Sequence, residues 1–170
     1  MTGDVQIASA TALDADTCRR LMLRSEPCGS RCNTVSATCR ASWRSVATSN
    51  LLVANAAEGV IGFTLSAPGV LLGEYLKILV VNRTFQSQGV GRRLMEELER
   101  RAFQRWPNVY LCVSDFNTGA RQFYRRLGYE EVGLLRDLLL PGKGEVLMRK
   151  SVAAWRRFGA PRDGYPPLCG

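Results

Sequence analysis

The chain has 170 residues, the size of one domain, and its 46% hydrophobic and 22% charged content is that of a globular protein. This composition excludes a disordered, collagen-like or coiled-coil chain, and no apolar run reaches the roughly 18–20 residues that cross a bilayer. The net charge is +8 and histidine is absent, which excludes imidazole catalysis and His-ligated zinc. Residues 1–10 lack a basic signal-peptide region, so we expect a cytoplasmic protein without a membrane partner.

The first fifty residues predict one short strand and two helices. Residues 5–8 have the pattern of a strand, and Thr11 can cap the helix that follows. The apolar stripe of that helix consists of Leu13, Cys18, Leu21 and Met22. A loop rich in glycine, proline and serine leads to a second helix at about residues 35–47. The cysteines of this region match no paired zinc motif, so we expect reduced thiols and no metal: Cys28, Cys32 and Cys39.

The middle of the chain predicts a sheet followed by a strong helix. Strands are expected at residues 51–54 and 60–65, with turns at Glu58–Gly59 and Pro68–Gly69. Residues 74–81 are bulky on both faces, so this strand should be central. The helix after residue 88 should end before Pro107, and its inner face consists of Leu94, Met95, Leu98 and Ala102. Its outer face offers four pairs of opposite charge: Arg92/Glu96, Arg93/Glu97, Glu96/Arg100 and Glu97/Arg101.

The last part of the chain predicts strand, helix and two further strands. Residues 109–113 form a buried strand in which Cys112 is a small core residue, and Asn117 and Gly128 bound the next helix. Strands are expected at residues 129–135 and 145–149. We therefore predict one domain over residues 1–150 and a C-terminal tail over 151–170, partly disordered or docked. The fold class is α/β, a mixed sheet with helices on both faces.

The segment from residue 81 to residue 94 carries the clearest chemical signal. A central strand leaves the sheet, and Gly89 and Gly91 open a helix whose first N–H groups lack internal partners. The positive end of this helix, with Arg92 and Arg93, predicts a cradle for phosphate or pyrophosphate. A dinucleotide fingerprint does not fit, because Leu94 occupies the third glycine position, and the lysine of a Walker loop is absent.

Gln86-x-x-Gly89-x-Gly91 after a strand resembles the acetyl-CoA pyrophosphate motif of the GNAT superfamily of N-acetyltransferases. A second set of residues is similar to the family's next strand, helix and strand: Val113, Asn117, Ala120, Phe123, Tyr124, Gly128 and Tyr129. The resemblance covers about residues 51–150 and is thinner before them. It implies an acyl-CoA N-acyltransferase fold in which the fourth and fifth strands splay apart and acetyl-CoA, the cosubstrate, lies in the gap.

The resemblance also implies a role for each matching residue. The backbone of Leu79 and Val81 would pair with the pantetheine arm of the cofactor. The loop that would hold the pyrophosphate consists of Gln86, Ser87, Gln88, Gly89, Val90, Gly91 and Arg92. Asn117 would bind pantetheine or place its helix, and Tyr124 would protonate the departing CoA thiolate. Strand N–H groups near Leu79 would stabilise the oxyanion.

Two carboxylates and a water relay are the candidates for the general base. Some relatives place a glutamate near the start of the splayed strand, and its register, counted back from Gln86, falls on Tyr75, one residue from Glu74. A one-residue slip turns a side chain to the other face of a sheet, so Glu74 would need a bulge to act as the base. Asp115 is the other candidate.

Three classes of function are compatible with these features. The first is an acetyl-CoA-dependent N-acetyltransferase that acts on a small-molecule or peptide amine, as a monomer or a homodimer. The second is a non-catalytic acyl-CoA-binding module, which would keep Gly89 and Gly91 but not need Tyr124. The third is a nucleic-acid-binding domain, which the +8 charge favours and the scattered arginines disfavour. The resemblance implies that residues 24–40 help to select the acceptor, and the basic surface predicts that polyamines and aminoglycosides are poor acceptors, with only a weak preference for them.

Overall fold

A computed structural model describes residues 5–24 and 50–158 of the chain. Within these ranges, seven strands form one sheet in the order β1-β2-β3-β4-β5-β7-β6. The strands are β1 (Gln6–Ser9), β2 (Asn50–Ala56), β3 (Gly59–Val70), β4 (Gly73–Val81), β5 (Asn108–Ser114), β6 (Glu130–Arg136) and β7 (Gly144–Ser151). The helices are α1 (Ala12–Arg24), α2 (Val90–Ala102), α3 (Thr118–Arg126) and α4 (Trp155–Phe158), with a 3-10 turn at Arg83–Phe85.

Two apolar clusters cover the two faces of the sheet. On one face, which we call the α2 face, α2 and Tyr124 of α3 pack on alternate residues of the strands, including Leu76, Leu111 and Val146. On the opposite face, the α1 face, Cys18, Leu21 and Met22 of α1 pack on a second set of strand residues: Val53, Phe63, Leu65 and Ile78. The predicted α/β class with helices on both faces is confirmed.

The central strands separate, as the family resemblance predicts. β4 and β5 are parallel and pair only through residues 73–76 and 108–111. Beyond this point β4 stays paired with β3, and β5 with β7, so a gap opens between β4 and β5. Leu65 of β3 pairs with Ile78 and Ser66 pairs with Leu76, which leaves Lys77 as an extra residue in β4. This bulge turns β4 away from β5 where the gap begins.

The turn between β3 and β4 was predicted at the wrong place. Pro68 and Gly69 belong to β3, and the chain reverses at Leu71 and Leu72, which have φ angles of 50° and 58°. A two-residue hairpin turn of this kind needs a positive φ at both central residues, which glycine and asparagine adopt most readily. Two leucines give no such signal, so the sequence pattern pointed to the nearby Pro-Gly pair instead.

Two of the four predicted charge pairs on α2 form, and two do not. Arg92 pairs with Glu96, and Glu97 pairs with Arg101 and also with Arg100, one turn away at 2.7 Å. The remaining arginine, Arg93, donates instead to the backbone carbonyl of Val5. Helix spacing alone predicts which pairs are possible, whereas the residue before β1 offers Arg93 an acceptor that the spacing does not reveal.

Several predictions fall on residues that the structure does not describe. These are the helix at residues 35–47, the three clustered cysteines, most of the acceptor segment at 24–40, and the tail from residue 159. The described start of the tail is docked, because Trp155 stacks on Trp106 with ring centroids 6.1 Å apart. In the described ranges, no helix has the length and apolar character needed to cross a membrane.

Candidate functional site

The loop between β4 and α2 folds back on itself through two glutamine side chains. Gln86 donates from Nε2 to the Val81 carbonyl at 3.1 Å, and Gln88 donates from Nε2 to the Thr84 carbonyl at 2.8 Å. Gly89 is the N-cap of α2 with φ 82°, and no side chain caps this end of the helix. The first N–H groups of α2 therefore have no side-chain partner at this end, and the helix dipole favours negative charge there.

The backbone of β4 presents donors to the gap beside the loop. The Asn82 N–H donates to the Ile61 carbonyl of β3 at 2.8 Å. Because backbone groups alternate in direction along a strand, the N–H groups of Val81 and Leu79 point the other way, into the gap. Leu79 and Val81 thus lie on the open side of β4, next to the start of α2.

α3 brings Asn117 and Tyr124 to the same region on the α2 face. Asn117 is the N-cap of α3, and its Oδ1 accepts from the Ala120 N–H at 3.1 Å. Tyr124 is buried, and its ring meets Phe123 at 5.1 Å and Tyr129 at 5.7 Å between centroids. Burial raises the pKa of Tyr124 above its ordinary value, so its hydroxyl is protonated at neutral pH.

The start of α2 packs against α3, the helix that carries Tyr124. A Cβ built on Gly91 would lie 3.5 Å from the Phe123 ring and 3.6 Å from Val81, so α2, α3 and β4 meet at this point. Tyr124 belongs to the same apolar cluster as Val113 of β5, and Leu79 packs against that cluster. The side chain is therefore supported from both sides of the gap.

A partly buried charge pair lies next to Tyr129, whose ring meets that of Tyr124. Lys150 of β7 donates from Nζ to the Glu99 carboxylate of α2 at 2.6 Å, and Nζ lies 5.9 Å from the centre of the Tyr129 ring. Burial and the Glu99 carboxylate raise the pKa of Tyr129. This pair joins α2 to β7 behind the tyrosine, and nothing in the sequence spacing predicted it because its members are 51 positions apart.

Glu74 lies away from the gap, on the α2 face. It is 3% exposed, and its Oε1 accepts from Asn50 at 2.8 Å and from Ser66 at 2.6 Å. It borders a cavity of about 580 Å³ near the ends of α2 and β1. Its strand position is in the region where β4 and β5 are still paired, and the bulge at Lys77 comes after it. The bulge therefore does not bring Glu74 to the face of Tyr75.

The α1 face of the gap carries a polar group of side chains that sequence reasoning did not assemble. The Tyr75 hydroxyl interacts with the Cys112 thiol, and burial raises the pKa of both. Next to them, Ser114 Oγ donates to Glu145 Oε1 at 2.7 Å. Cys112 is thus half-buried beside a tyrosine, whereas we predicted a core residue. Ser114 and Glu145 directly oppose each other on β5 and β7, and only the order of strands in the sheet reveals this pairing.

Asp115, the other candidate base, accepts a hydrogen bond from the backbone. Its Oδ2 accepts from the Gly144 N–H at 3.2 Å, which fixes the start of β7 beside the end of β5. An added Cβ on Gly144 would lie 2.8 Å from this oxygen, so the two residues are in close contact. Asp115 is close enough to Glu145 to help raise the pKa of that carboxyl, although burial is the larger cause.

Comparison with known proteins agrees with this architecture. A family model described as an acetyltransferase (GNAT) domain matches residues 47–131, which is half of the chain. The ribosomal-protein-S18-alanine N-acetyltransferase from Escherichia coli has a similar solved structure, with a TM-score of 0.70 at 19% identity. The alignment covers 89% of this chain and 97% of that one, and at this identity it shows the fold alone.

Two curated relatives match over shorter segments. The tRNA uridine(34) acetyltransferase of Methanocaldococcus jannaschii is 44% identical over 50 residues, which are 29% of this chain and 9% of that protein. The N-alpha-acetyltransferase RimI of Mycobacterium tuberculosis is 43% identical over 56 residues, 33% of this chain and 34% of that protein. The chain therefore spans much less than two thirds of either relative.

Proposed function

Because the chain belongs to the GNAT family of acetyltransferases, we propose that it transfers the acetyl group of acetyl-CoA to a primary amine. One observation carries the proposal: the gap between β4 and β5 has an uncapped helix start at its mouth and a buried tyrosine on one of its faces. The first part suits an anionic, elongated cosubstrate, and the second supplies a proton donor. A module that only bound acyl-CoA would need the first part alone.

The cosubstrate would lie along β4. The N–H groups of Leu79 and Val81 would hydrogen-bond the pantetheine arm as a neighbouring strand does. The pyrophosphate would accept from backbone N–H groups of residues 88–92, where the helix dipole favours negative charge. Gln86 would hold the turn between these two segments through the Val81 carbonyl. Asn117 would keep its capping role, which fixes α3 beside the gap.

Tyr124 is proposed as the acid that protonates the CoA thiolate. An ordinary phenol has a pKa of about 10 and an ordinary thiol about 8.5. Burial raises the pKa of Tyr124, and burial in the same gap would raise that of the departing thiolate, so the two remain matched for proton transfer. The N–H groups of β4 near Leu79 would stabilise the oxyanion that forms as the amine attacks.

The acceptor would be a primary amine. It is either the α-amine of a peptide or an amine of a small polyamine or aminoglycoside. An α-amine has a pKa of about 7.7–8.0, so a large share is already neutral at pH 7–8, whereas a lysine-like amine at about 10.4 needs a strong base. The net charge of +8 disfavours polycationic acceptors. We therefore propose a peptide α-amine, with polycationic amines as poorer acceptors.

The test is release of CoA thiol from acetyl-CoA with a panel of amines: a lysine-free peptide with a free α-amine, an α-blocked peptide with one lysine, spermidine and an aminoglycoside. Wild type should acetylate at least one of them, and Tyr124→Phe should reduce kcat about a hundredfold or more. Tyr110→Phe, a buried tyrosine on the α1 side of β5, is the matched control. Thermal stabilisation by acetyl-CoA without transfer to any amine would instead favour the binding module.

A further inference from the structure

Among the described residues, helices cover one face of the sheet at the gap and leave the other uncovered. On the α2 face, α2 and α3 cover the strands, and their side chains form the larger apolar cluster. On the α1 face, α1 packs on residues of β2, β3 and β4. No described helix covers β5 and β7 on that face. A base that serves the amine must therefore be sought among the side chains that β4, β5 and β7 present on the α1 face.

Among the described residues of β4, β5 and β7, Glu145 is the carboxylate that lies on this face and has one oxygen without a hydrogen bond. It is 6% exposed, and Ser114 Oγ occupies its Oε1 at 2.7 Å. Among the described residues, no hydrogen bond reaches its Oε2. It directly opposes Ser114 across the β5–β7 ladder and is close enough to Tyr75 and Cys112 to affect their titration. Tyr75 lies in the last paired stretch of β4, and Cys112 directly follows the last paired residue of β5, so both are next to the start of the gap.

The surroundings of Glu145 suit a proton acceptor. Facing it are Tyr75 from β4, Cys112 from β5 and Asp115 from the loop after β5. Burial raises the pKa of Glu145, the Ser114 hydrogen bond opposes that rise, and Asp115 adds to it. A carboxyl with a raised pKa holds a proton more firmly than an ordinary glutamate, and a base poised nearer neutral pH is the better catalyst.

The other two carboxylates are less suited. Glu74 lies on the α2 face, opposite to Tyr75, and its Oε1 accepts two hydrogen bonds. The Oδ2 of Asp115 is tied to the Gly144 N–H at the end of the strands. Neither is placed beside Tyr75 and Cys112 where the gap begins.

We propose that Glu145 is the general base that accepts a proton from the acceptor ammonium group on the α1 face. The proposal rests on the proposed acetyl transfer. In the first step the ammonium N–H bond breaks and its proton passes to Glu145 Oε2, which leaves a neutral amine. The nitrogen lone pair then forms the C–N bond, and the C–S electron pair leaves with sulfur. The nitrogen then loses its second proton to water, the thiolate gains a proton from Tyr124, and solvent reprotonates Tyr124 and deprotonates Glu145, so that one proton is released overall.

The test compares pH profiles of kcat/KM for wild type and Glu145→Gln, with the best acceptor from the amine panel. Glu145→Gln should lower kcat/KM about a hundredfold below the pKa of the acceptor amine. The loss should shrink as the pH rises past that pKa, because the amine then arrives neutral. Glu58→Gln, an exposed carboxylate in the β2–β3 turn, is the matched control and should match wild type. Glu74→Gln tests the rival carboxylate.

A pH-independent loss in Glu145→Gln would indicate a structural role and overturn the proposal, and so would a larger loss in Glu74→Gln. Acetyl-CoA binding and thermal unfolding verify that each variant is folded. If Glu145→Gln does not fold, Ser114→Ala decides: without its donor the acidic limb of kcat/KM should move to higher pH, and an unmoved limb refutes the base. If wild type acetylates no amine, the proposed function fails and this inference fails with it.

Discussion

The two glycines of the loop should respond oppositely to alanine. At Gly89 the φ of 82° is left-handed, and a Cβ would meet nothing within 4 Å, so the cost is purely conformational. An L-residue in this region costs about 1–2 kcal/mol, which lowers Tm by roughly 2–8 °C for a chain of this size. At Gly91 a Cβ would make ordinary contacts at 3.5 and 3.6 Å, and alanine favours helix by up to about 1 kcal/mol. Gly91→Ala should therefore leave Tm unchanged or raise it by roughly 2–4 °C.

The same pair of variants separates folding from ligand binding. Acetyl-CoA at 100 times its Kd should stabilise wild type by about 2.7 kcal/mol, or roughly 5–11 °C. Since the fold tolerates a side chain at position 91, we expect Gly91→Ala to keep its own Tm and lose much of the shift with acetyl-CoA. Thermal unfolding with and without acetyl-CoA measures both. If Gly91→Ala is destabilised by more than about 1 kcal/mol, which lowers Tm by roughly 2–4 °C, the steric argument is refuted. If the variant keeps the full shift with acetyl-CoA, the role of Gly91 in binding is refuted.

Three further predictions concern stability. Asn117→Ala removes the acceptor for the Ala120 N–H and should cost about 1 kcal/mol in urea unfolding, whereas Asn117→Asp should be near neutral. Lys150→Met leaves the Glu99 carboxylate buried without its partner and should cost about 3 kcal/mol by the same assay, most of which Glu99→Leu should restore in the double variant. The pKa of Glu97 is lowered to about 2 by hydrogen bonds from Arg100 and Arg101. Its contribution is therefore complete above pH 4.5 and is lost as pH falls towards 2, so Glu97→Gln should flatten the acid side of the stability profile.

The elements whose signals are local were predicted well from the sequence. The stripe of α2 identifies its buried face because the pattern repeats with the period of the helix, and the apolar run of β5 identifies a buried strand. The hairpin turn at Leu71 and Leu72 was not predicted, because leucines are not typical turn residues and both have an unusual positive φ. The partner of Arg93 was not predicted for another reason: it is Val5, which lies 88 positions away, directly before β1.

The candidate site also contains residues that a local pattern predicts and residues that only the folded sheet brings together. The loop from Gln86 to Arg92 is a continuous segment, so a motif can specify it, and Asn117 caps its helix as local chemistry predicts. The group of Tyr75, Cys112 and Glu145 spans three strands whose neighbours are set by the sheet order, and β7 lies beside β5 although β6 precedes it in the chain. No spacing rule brings residue 145 next to residue 114. The roles of Tyr124 and Glu74 stay predictions, although the faces they occupy are now known.

The separation of the two faces has an electrostatic consequence for the proposed chemistry. Tyr124 must keep its proton until sulfur leaves, and Glu145 must be ionised before the amine arrives. A carboxylate beside Tyr124 would raise the pKa of that tyrosine further and make it a weaker acid. Burial is the cause that raises the pKa of Tyr124, whereas the neighbours of Glu145 include a second carboxylate, Asp115. With the proposed acid on the α2 face and the proposed base on the α1 face, the surroundings of one group can shift its pKa without an unfavourable effect on the pKa of the other.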